Sequence, residues 1–486
     1  MKPEKTDSFR GGIVKAMELV FGKIGTSPRI KLFRDRIRKL APGQILILYY
    51  ATAILIGAVA LSLPIAANGP PLTFLDATFT ATSAQCVTGL IVVDTGTKLT
   101  LFGQMVVLVL MQTGGLGLMS FSVYLFFYLR KGVGARGRGI IQETLLHTPI
   151  ASVKDLIRGI FLLSFAIEGV GVLLLAVVFI PQMGFWQGLF CSVFHSVSAF
   201  CNAGFSLFPD SLIEYRGNAM VNFTIMGLIV LGGIGFLVIR ELLDYLPWRR
   251  KVERRRLTLH SRLVLCTSGI LIVGGALLIA LLEYRSAFAN MGFMESFLTA
   301  AFQSITARTA GFNSIDLNMF RLPTLFLMMF LMFVGASPGS AGGGIKTTSL
   351  ALFVAILGSR LKGNPHTNVF RRTVPDEVVA KSLALVMLAI LLLGTALFAL
   401  LAVQHPETAA NQSAGGFVNL TFEAISAFST VGLSLGTTGE LYPMGKLIII
   451  ALMFIGRIGL LTVAFTIVRR TRPNAVRYGQ ENIMIG

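Results

Sequence analysis

The chain has 486 residues, of which 54% are hydrophobic and only 13% charged, and its mean hydropathy is +0.75. That is far more apolar surface than one water-soluble core can hide, so a soluble enzyme or binding module is excluded and a bilayer is the expected solvent. The formal net charge of +19 would suggest nucleic acid on a soluble protein; inside so apolar a chain, the basic residues read as topology signals instead, and no nucleic-acid partner is expected.

Residues 1–43 form a basic, amphipathic N-terminal segment without the apolar core of a cleavable signal, so the first span is expected to act as its own targeting signal. Runs of about 20 apolar residues, the length that crosses a hydrocarbon core, follow. They predict eight spanning helices near 45–64, 101–129, 157–181, 218–246, 262–284, 323–357, 378–404 and 443–468. Within alternate pairs lie segments too short and too polar to cross, at 72–95, 186–213, 292–316 and 417–440. Irregular backbone at membrane depth survives only against protein or a water-filled cavity, so these read as re-entrant loops sharing one polar pathway. The expected fold is an all-α polytopic membrane protein. Its four fused helix/pore-loop/helix repeats, at 44–130, 150–247, 257–358 and 376–470, surround a central pore with pseudo-fourfold symmetry, and a tail follows at 471–486.

Lys and Arg crowd the stretch Lys2 to Lys39, the connection with Arg130, Lys131, Arg136 and Arg138, the run Arg249 to Arg256, the stretch Arg360 to Arg372, and the tail Arg469 to Arg477. All fall on one face. The positive-inside rule makes that face cytoplasmic, together with both termini, and brings the re-entrant loops in from outside. Most of this charge serves topology and lipid headgroups, and the remainder, at the N-terminal segment and around Arg130 to Arg138, is a candidate dock for a cytoplasmic partner. The cysteines Cys86, Cys191, Cys201 and Cys266 lack metal spacing and read as packing residues. The five histidines form no H-E-x-x-H and no cluster with cysteine, which argues against a metalloenzyme.

The loops repeat one another. Aligned by glycine they read Cys86-Val87-Thr88-Gly89-Leu90, Cys201-Asn202-Ala203-Gly204-Phe205, Arg308-Thr309-Ala310-Gly311-Phe312 and Ser429-Thr430-Val431-Gly432-Leu433, with the glycines 115, 107 and 121 residues apart. Such a long period means fused pore modules rather than a solenoid. Phe79, Phe194 and Phe422 stand ten residues before their glycine and Phe302 nine, while Ser83, Ser198 and Ser426 stand six before, with Ile305 as the exception. Each stretch reads as a short pore helix descending to the glycine. Carbonyl oxygens that replace an ion's hydration shell must be turned toward an axis, and glycine permits the positive φ this needs. A single glycine would read as a turn. Four at equivalent positions predict a ring of filter segments at Val87, Thr88, Gly89, Asn202, Ala203, Gly204, Thr309, Ala310, Gly311, Thr430, Val431 and Gly432, with Leu90, Phe205, Phe312 and Leu433 packed behind.

The second helix of each repeat carries a further alignment, Gln112-Thr113-Gly114-Gly115-Leu116-Gly117 with Leu231-Gly232-Gly233-Ile234-Gly235 and Ile455-Gly456-Arg457-Ile458-Gly459. Most of these glycines are expected to serve close helix packing. Arg457 is a cation inside a span, so it either faces the pathway as an electrostatic barrier or forms a buried ion pair. In the third repeat the slot expands into a run from Gly335 to Thr348 with Gly335, Pro338, Gly339, Gly342, Gly343 and Gly344, which cannot sustain a helix. That run is expected to break under the filter, with Lys346 neutralising a carboxylate or a carbonyl cluster. A phosphate-binding loop at Gly344-Ile345-Lys346-Thr347 would need a preceding strand, which an apolar span does not offer. Asp76, Glu295 and Glu423 fall in the pore helices, and Asp94, Asp210 and Asp316 follow the filters, either concentrating cations at the outer mouth or standing as solvated loop residues. Arg308 is expected behind the filter, paired with Glu295 or Glu423.

With Ser-Ala-Gln-Cys-Val-Thr-Gly-Leu in the first loop and Thr-Ala-Arg-Thr-Ala-Gly-Phe-Asn in the third, the chain resembles the Trk/Ktr/HKT superfamily of cation transporters over roughly residues 40–470. Eight spans make it most similar to the Ktr branch of bacterial membrane subunits. The resemblance implies potassium uptake across the cell membrane through a gated, channel-like pore, with sodium as a second candidate ion and no organic cofactor on this chain. It implies an intramembrane gating loop at 335–348 beside Arg457. It also implies a homodimer seated on a cytoplasmic KtrA-like ring that binds ATP or ADP. In the superfamily a serine at the first filter glycine goes with sodium selectivity, and Gly89 favours potassium. Only Thr309 and Thr430 place a hydroxyl two residues before the glycine, so fewer well-formed ion sites are expected than in a fourfold-symmetric channel. A coupled Na+/K+ or H+/K+ transporter is the alternative, but its usual inverted repeats are absent from four repeats of one orientation. No nucleophile and base face each other on adjacent spans, so an enzyme is not expected.

Overall fold

The computed structural model describes residues 42–132, 153–245, 257–404 and 414–460. The basic stretch Lys2 to Lys39, Arg136 and Arg138, the run Arg249 to Arg256 and the tail Arg469 to Arg477 lie outside the described residues.

Taking the stretches expected as repeats in turn, the first runs from α1 (Pro42–Ser62) through α2 (Phe74–Gln85) to α3 (Leu101–Gly132). The second pairs α4 (Val153–Met183) with α5 (Phe185–Cys201), then α6 (Ala219–Ile234) and α7 (Phe236–Asp244). In the third, α8 (Leu259–Glu283) and α9 (Phe293–Thr306) precede α10 (Leu322–Phe333) and α11 (Thr347–Leu361). A two-stranded hairpin, β1 (Asn368–Val369) with β2 (Arg372–Thr373), leads to the fourth repeat of α12 (Asp376–Gln404), α13 (Ala414–Ser429) and α14 (Pro443–Ile458). Caps set several of the starts, since Thr73, Asn218 and Thr258 each accept a hydrogen bond from an amide in the first turn of α2, α6 and α8.

Against the eight expected spans, five helices among the described residues are long and apolar enough to cross a membrane, or six if the bent pair α6/α7 is one span. The difference has a common cause. The second helices of repeats two, three and four are interrupted at corresponding glycines. The axis turns 101° between α6 and α7 at Gly235, whose φ is +98°. The segment from Val334 to Lys346 separates α10 from α11. Gly459, with φ +92°, ends α14. In the first repeat Gly117 stays helical and α3 continues through it.

The interior and exterior are inverted relative to a soluble protein. Leu55, Leu162, Leu173, Leu281, Met387 and Phe398 project outward and exposed, whereas Thr82, Ser83, Gln85, Ser198, Thr306 and Ser426 are buried. In lipid, apolar exposure costs nothing, and the polar groups gather where backbone needs partners.

Candidate ion pathway

The short helices α2, α5, α9 and α13 each stop three to five residues before Gly89, Gly204, Gly311 and Gly432, which meet one another, so their carbonyl ends, each carrying about half a negative charge, converge there. Beyond them the backbone alternates in hand. Val87, Asn202, Thr309 and Thr430 have φ of 56°, 60°, 83° and 51°, and Gly89, Gly204, Gly311 and Gly432 have 93°, 72°, 80° and 94°. The residues between them, Thr88, Ala203, Ala310 and Val431, do not share the positive sign. Alternation of this kind turns successive carbonyls to one side rather than to both. For the β-branched Val87, Thr309 and Thr430 it costs about 1–3 kcal/mol each, so the surroundings must hold it in place.

They do so with one device used four times. The middle amide of each segment donates to a carbonyl in its own pore helix, Thr88 to Ser83 (2.7 Å), Ala203 to Ser198 (2.7 Å), Ala310 to Thr306 (2.9 Å) and Val431 to Ser426 (2.9 Å). The hydroxyls of the same residues add a second bond. Ser83 and Ser426 accept from the amides of Gly89 and Gly432 at 3.1 Å, and Ser198 and Thr306 donate to the carbonyls of Phe205 and Phe312 at 2.8 Å. Counted from Phe79, Phe194, Phe302 and Phe422, all four hydroxyls stand four residues on. The exception at Ile305 disappears, because the third stretch has one residue fewer between its phenylalanine and its glycine.

The four segments meet edge to edge. A Cβ placed on Gly89 would run into the Ala203 carbonyl, one on Gly204 into that of Ala310 (2.8 Å), one on Gly311 into that of Val431 (2.5 Å), and one on Gly432 into that of Thr88. Each glycine thus abuts the next repeat, and the fourth returns to the first. Leu90, Phe205, Phe312 and Leu433 are all buried behind this ring.

Beneath it, the second-helix glycines pack against the pore helices. A Cβ on Gly114, Gly232 or Gly456 would strike the carbonyl of Gln85, Phe200 or Phe428, each four residues before its own ring glycine. The next position holds Gly115, Gly233 and, in the fourth repeat, Arg457. The Arg457 side chain is buried and donates to the carbonyls of Ala341 and Gly114 (2.9 Å) and to the Tyr50 hydroxyl (3.4 Å). Tyr50 in turn donates to Gly114 at 2.8 Å. Among the described residues no carboxylate pairs with Arg457, and its partners there are carbonyls and a hydroxyl.

The broken segment of repeat three lies directly under the ring. Cβ atoms on Gly342 and Gly343 would collide with the hydroxyls of Thr309 and Thr430. The segment is fixed to the kink of repeat two by backbone bonds, Ser337 to Gly233 (3.0 Å), Ala341 to Gly232 (3.1 Å) and Phe236 to Gly339 (3.1 Å). Lys346 folds back on the segment's own carbonyls, at Gly342 (2.7 Å) and Gly343 (3.4 Å), so of its two expected targets it takes the carbonyls. Gly335 packs against Gly343, and Gly339 and Gly344 take positive φ of 74° and 69°.

Arg308 does lie behind the ring, but its expected partners are wrong. Its guanidinium donates to Ser268, at the hydroxyl (3.1 Å) and the carbonyl (3.4 Å). Glu295 is taken by Arg216 at 2.5 Å, and Glu423 by Ser434 and Thr438. Asp94 and Asp316 accept from Thr97 and from Asn318 within their own turns, which gives both a structural occupation. Cys86, Cys191 and Cys201 are buried as packing residues, whereas Cys266 is exposed on the outer face of α8. Asn202 links two segments. With its amide oriented to satisfy both ends, its nitrogen donates to Ala199 and Ile229 and its oxygen accepts from Thr309 at 3.1 Å.

The TrkH family, described as cation transport protein, matches residues 31–475. The chain belongs to the TrkH family. Its relatives in the family include the Ktr system potassium uptake protein B of Bacillus subtilis, 39% identical over 94% of this chain and all of that one. The protein of the same name from Vibrio alginolyticus is 38% identical over 93% of this chain and 96% of that one. The potassium/sodium uptake protein NtpJ of Enterococcus hirae is 37% identical over 94% of this chain and 100% of that one. The crystal structure of the potassium transporter TrkH from Vibrio parahaemolyticus shares the fold, with a TM-score of 0.70 over 88% of this chain and 86% of that one at 18% identity. The TrkH family consists of membrane cation transporters rather than enzymes, which agrees with the apolar helices seen here.

Proposed function

We propose that the chain takes up potassium across the cell membrane through a gated, channel-like pore. Carbonyl oxygens of Val87 to Gly89, Asn202 to Gly204, Thr309 to Gly311 and Thr430 to Gly432 replace the ion's water in a single ring. The observation that carries this reading is the closed circuit of Gly89, Gly204, Gly311 and Gly432, each abutting the following repeat through backbone of alternating hand. A set of independent turns has no reason to meet in this way, and strained β-branched residues persist only where the surroundings over-determine them. Below the ring, Arg457 and the segment with Gly335, Gly339, Gly342, Gly343, Gly344 and Lys346 form the gate. A guanidinium and an ammonium there oppose a cation, and a glycine-rich segment held by a few hydrogen bonds is able to move.

In this reading the repeats at 44–130, 150–247, 257–358 and 376–470 cross the membrane eight times when broken second helices are counted as single spans. Both termini are cytoplasmic by the positive-inside rule. Two relatives are named as proteins of a Ktr system, so this chain is read as the membrane subunit of such a system, a homodimer on a cytoplasmic ring that binds ATP or ADP. One relative is named for both potassium and sodium, which keeps sodium as a second ion.

The deciding experiment is rescue of a potassium-uptake-deficient cell at low external potassium, with and without a regulatory ring subunit. Growth is expected, and its absence under both conditions overturns the reading. Flux that follows the electrochemical gradient without fixed stoichiometry separates a pore from a coupled transporter.

A further inference from the structure

The inner hydroxyls do not complete the support of the ring. One residue after each reference phenylalanine stand Thr80, His195, Gln303 and Glu423, on corresponding turns of α2, α5, α9 and α13. All four are buried. Three reach the stretch of chain that leaves their own filter segment. Glu423 accepts from the Ser434 hydroxyl at 2.9 Å and from that of Thr438. Gln303 donates to Ser314 at 3.3 Å. His195 lies 3.0 Å from Ser206 through Nε2. Its Nδ1 faces the Cys191 carbonyl at 2.8 Å and must donate there, so Nε2 is the acceptor and Ser206 the donor. Ser206 and Ser434 stand two residues after their ring glycines and Ser314 three after. The first repeat departs from the pattern. The Thr80 hydroxyl has no partner among the described residues, and the position two after Gly89 is Ile91, which is 37% exposed.

We propose that His195, Gln303 and Glu423 are positioning residues for ion selection, each tying the exit of its own filter segment back to its pore helix, and that the first segment, without such a tie, is the compliant quarter of the ring. The proposal rests on the filter reading above. Its physical basis is that each carbonyl of a filter segment is held only as firmly as both ends of that segment. In all four repeats a backbone amide bond fixes the middle of the segment and the inner hydroxyl holds its glycine or the residue after it, while the outer ties fix the chain two or three residues past the glycine in three. Three different chemistries, an acid, an imidazole and an amide, serve one geometric task.

The test measures the K+/Na+ uptake ratio of the purified full-length protein in proteoliposomes. Ser434→Ala is expected to lower the ratio about fivefold, the effect of losing one buried hydrogen bond, and Glu423→Ala, which also loses Thr438, at least as much. The double variant is expected to be no worse than Glu423→Ala alone, because that change already removes the Ser434 tie. Glu423→Gln, which still accepts from a hydroxyl, recovers most of the loss. Thr80→Ala, at the untied position, is expected to stay within about twofold of the parent. Gly89→Ser is the control for the ring itself. If it shifts the ratio while Ser434→Ala and Glu423→Ala do not, the ties have no part in selection and the inference is overturned. If Thr80→Ala is as damaging as Glu423→Ala, the position matters for packing alone, which also overturns it. If Gly89→Ser is silent, the filter reading fails and takes this inference with it. Should Glu423→Ala fail to fold, Ser434→Ala, which removes one hydroxyl from a half-buried loop residue, decides by itself.

Discussion

Lys446, in the first turn of α14, donates to Asp76, in the first turn of α2, at 2.7 Å across 370 positions of sequence. Arg216 and Glu295 make the corresponding bond between repeats two and three. In both cases a cation from one repeat meets the first-turn acid of the following pore helix. That acid also faces the positive end of its own helix, which favours the charge. The Lys446 bond joins the last repeat to the first.

Removing it is expected to loosen assembly rather than change ion choice. Lys446→Ala should lower the midpoint of thermal unfolding in detergent by about 2–5 °C, and the exchange of Asp76→Lys with Lys446→Asp should recover part of the loss. Size-exclusion chromatography after heating measures both. Equal midpoints for parent and Lys446→Ala would show that the bond carries no stability.

Gly89→Ser is expected to lower K+/Na+ selectivity on the order of tenfold. The added atom meets a neighbouring carbonyl, and φ of +93° is strained for any side chain, at a cost of roughly 1–3 kcal/mol. Competitive uptake of the two ions measures the change, and an unaltered ratio counts against the ring as the selecting element.

Arg457→Ala, or deletion of residues 339–344, should raise flux in the absence of any regulatory subunit. Arg457→Lys keeps the charge but cannot reach Ala341, Gly114 and Tyr50 together, so it separates barrier from brace. If the lysine variant behaves like the parent, charge is the operative property. If it leaks like alanine, the hydrogen bonds are. No rise in flux in any of the three removes the gate from Arg457.

Gly114→Ala, Gly232→Ala and Gly456→Ala should each destabilise the protein by about 1–3 kcal/mol, because the methyl group strikes pore-helix backbone that cannot step aside. Gly274→Ala, in α8 with nothing within 4 Å, is the matched control and should be neutral or slightly stabilising. Thermal midpoints of all four decide it, and a uniform response would mean that helix propensity alone is being read.

That Gly89, Gly204, Gly311 and Gly432 come together is legible in the chain because glycine recurs there at a matching register. What was not legible depended on distance in sequence. Arg308 was assigned an acid because a buried cation wants one, yet Ser268 lies nearer in the fold and both acids are already taken. Fewer than eight unbroken helices are long enough to cross because the backbone bends at Gly235 and ends α14 at Gly459 while apolar composition continues through both. The inner hydroxyls were half seen. Aligning on glycine hid Thr306, and aligning on phenylalanine would have shown it.

The glycine circuit has a handedness. A methyl group added in repeat one is felt first by repeat two, in two by three, in three by four, and in four by one. Each quarter of the circuit is therefore checked by the one that follows it. A side chain at any ring glycine meets a neighbour's backbone, where no side chain can turn aside to absorb it.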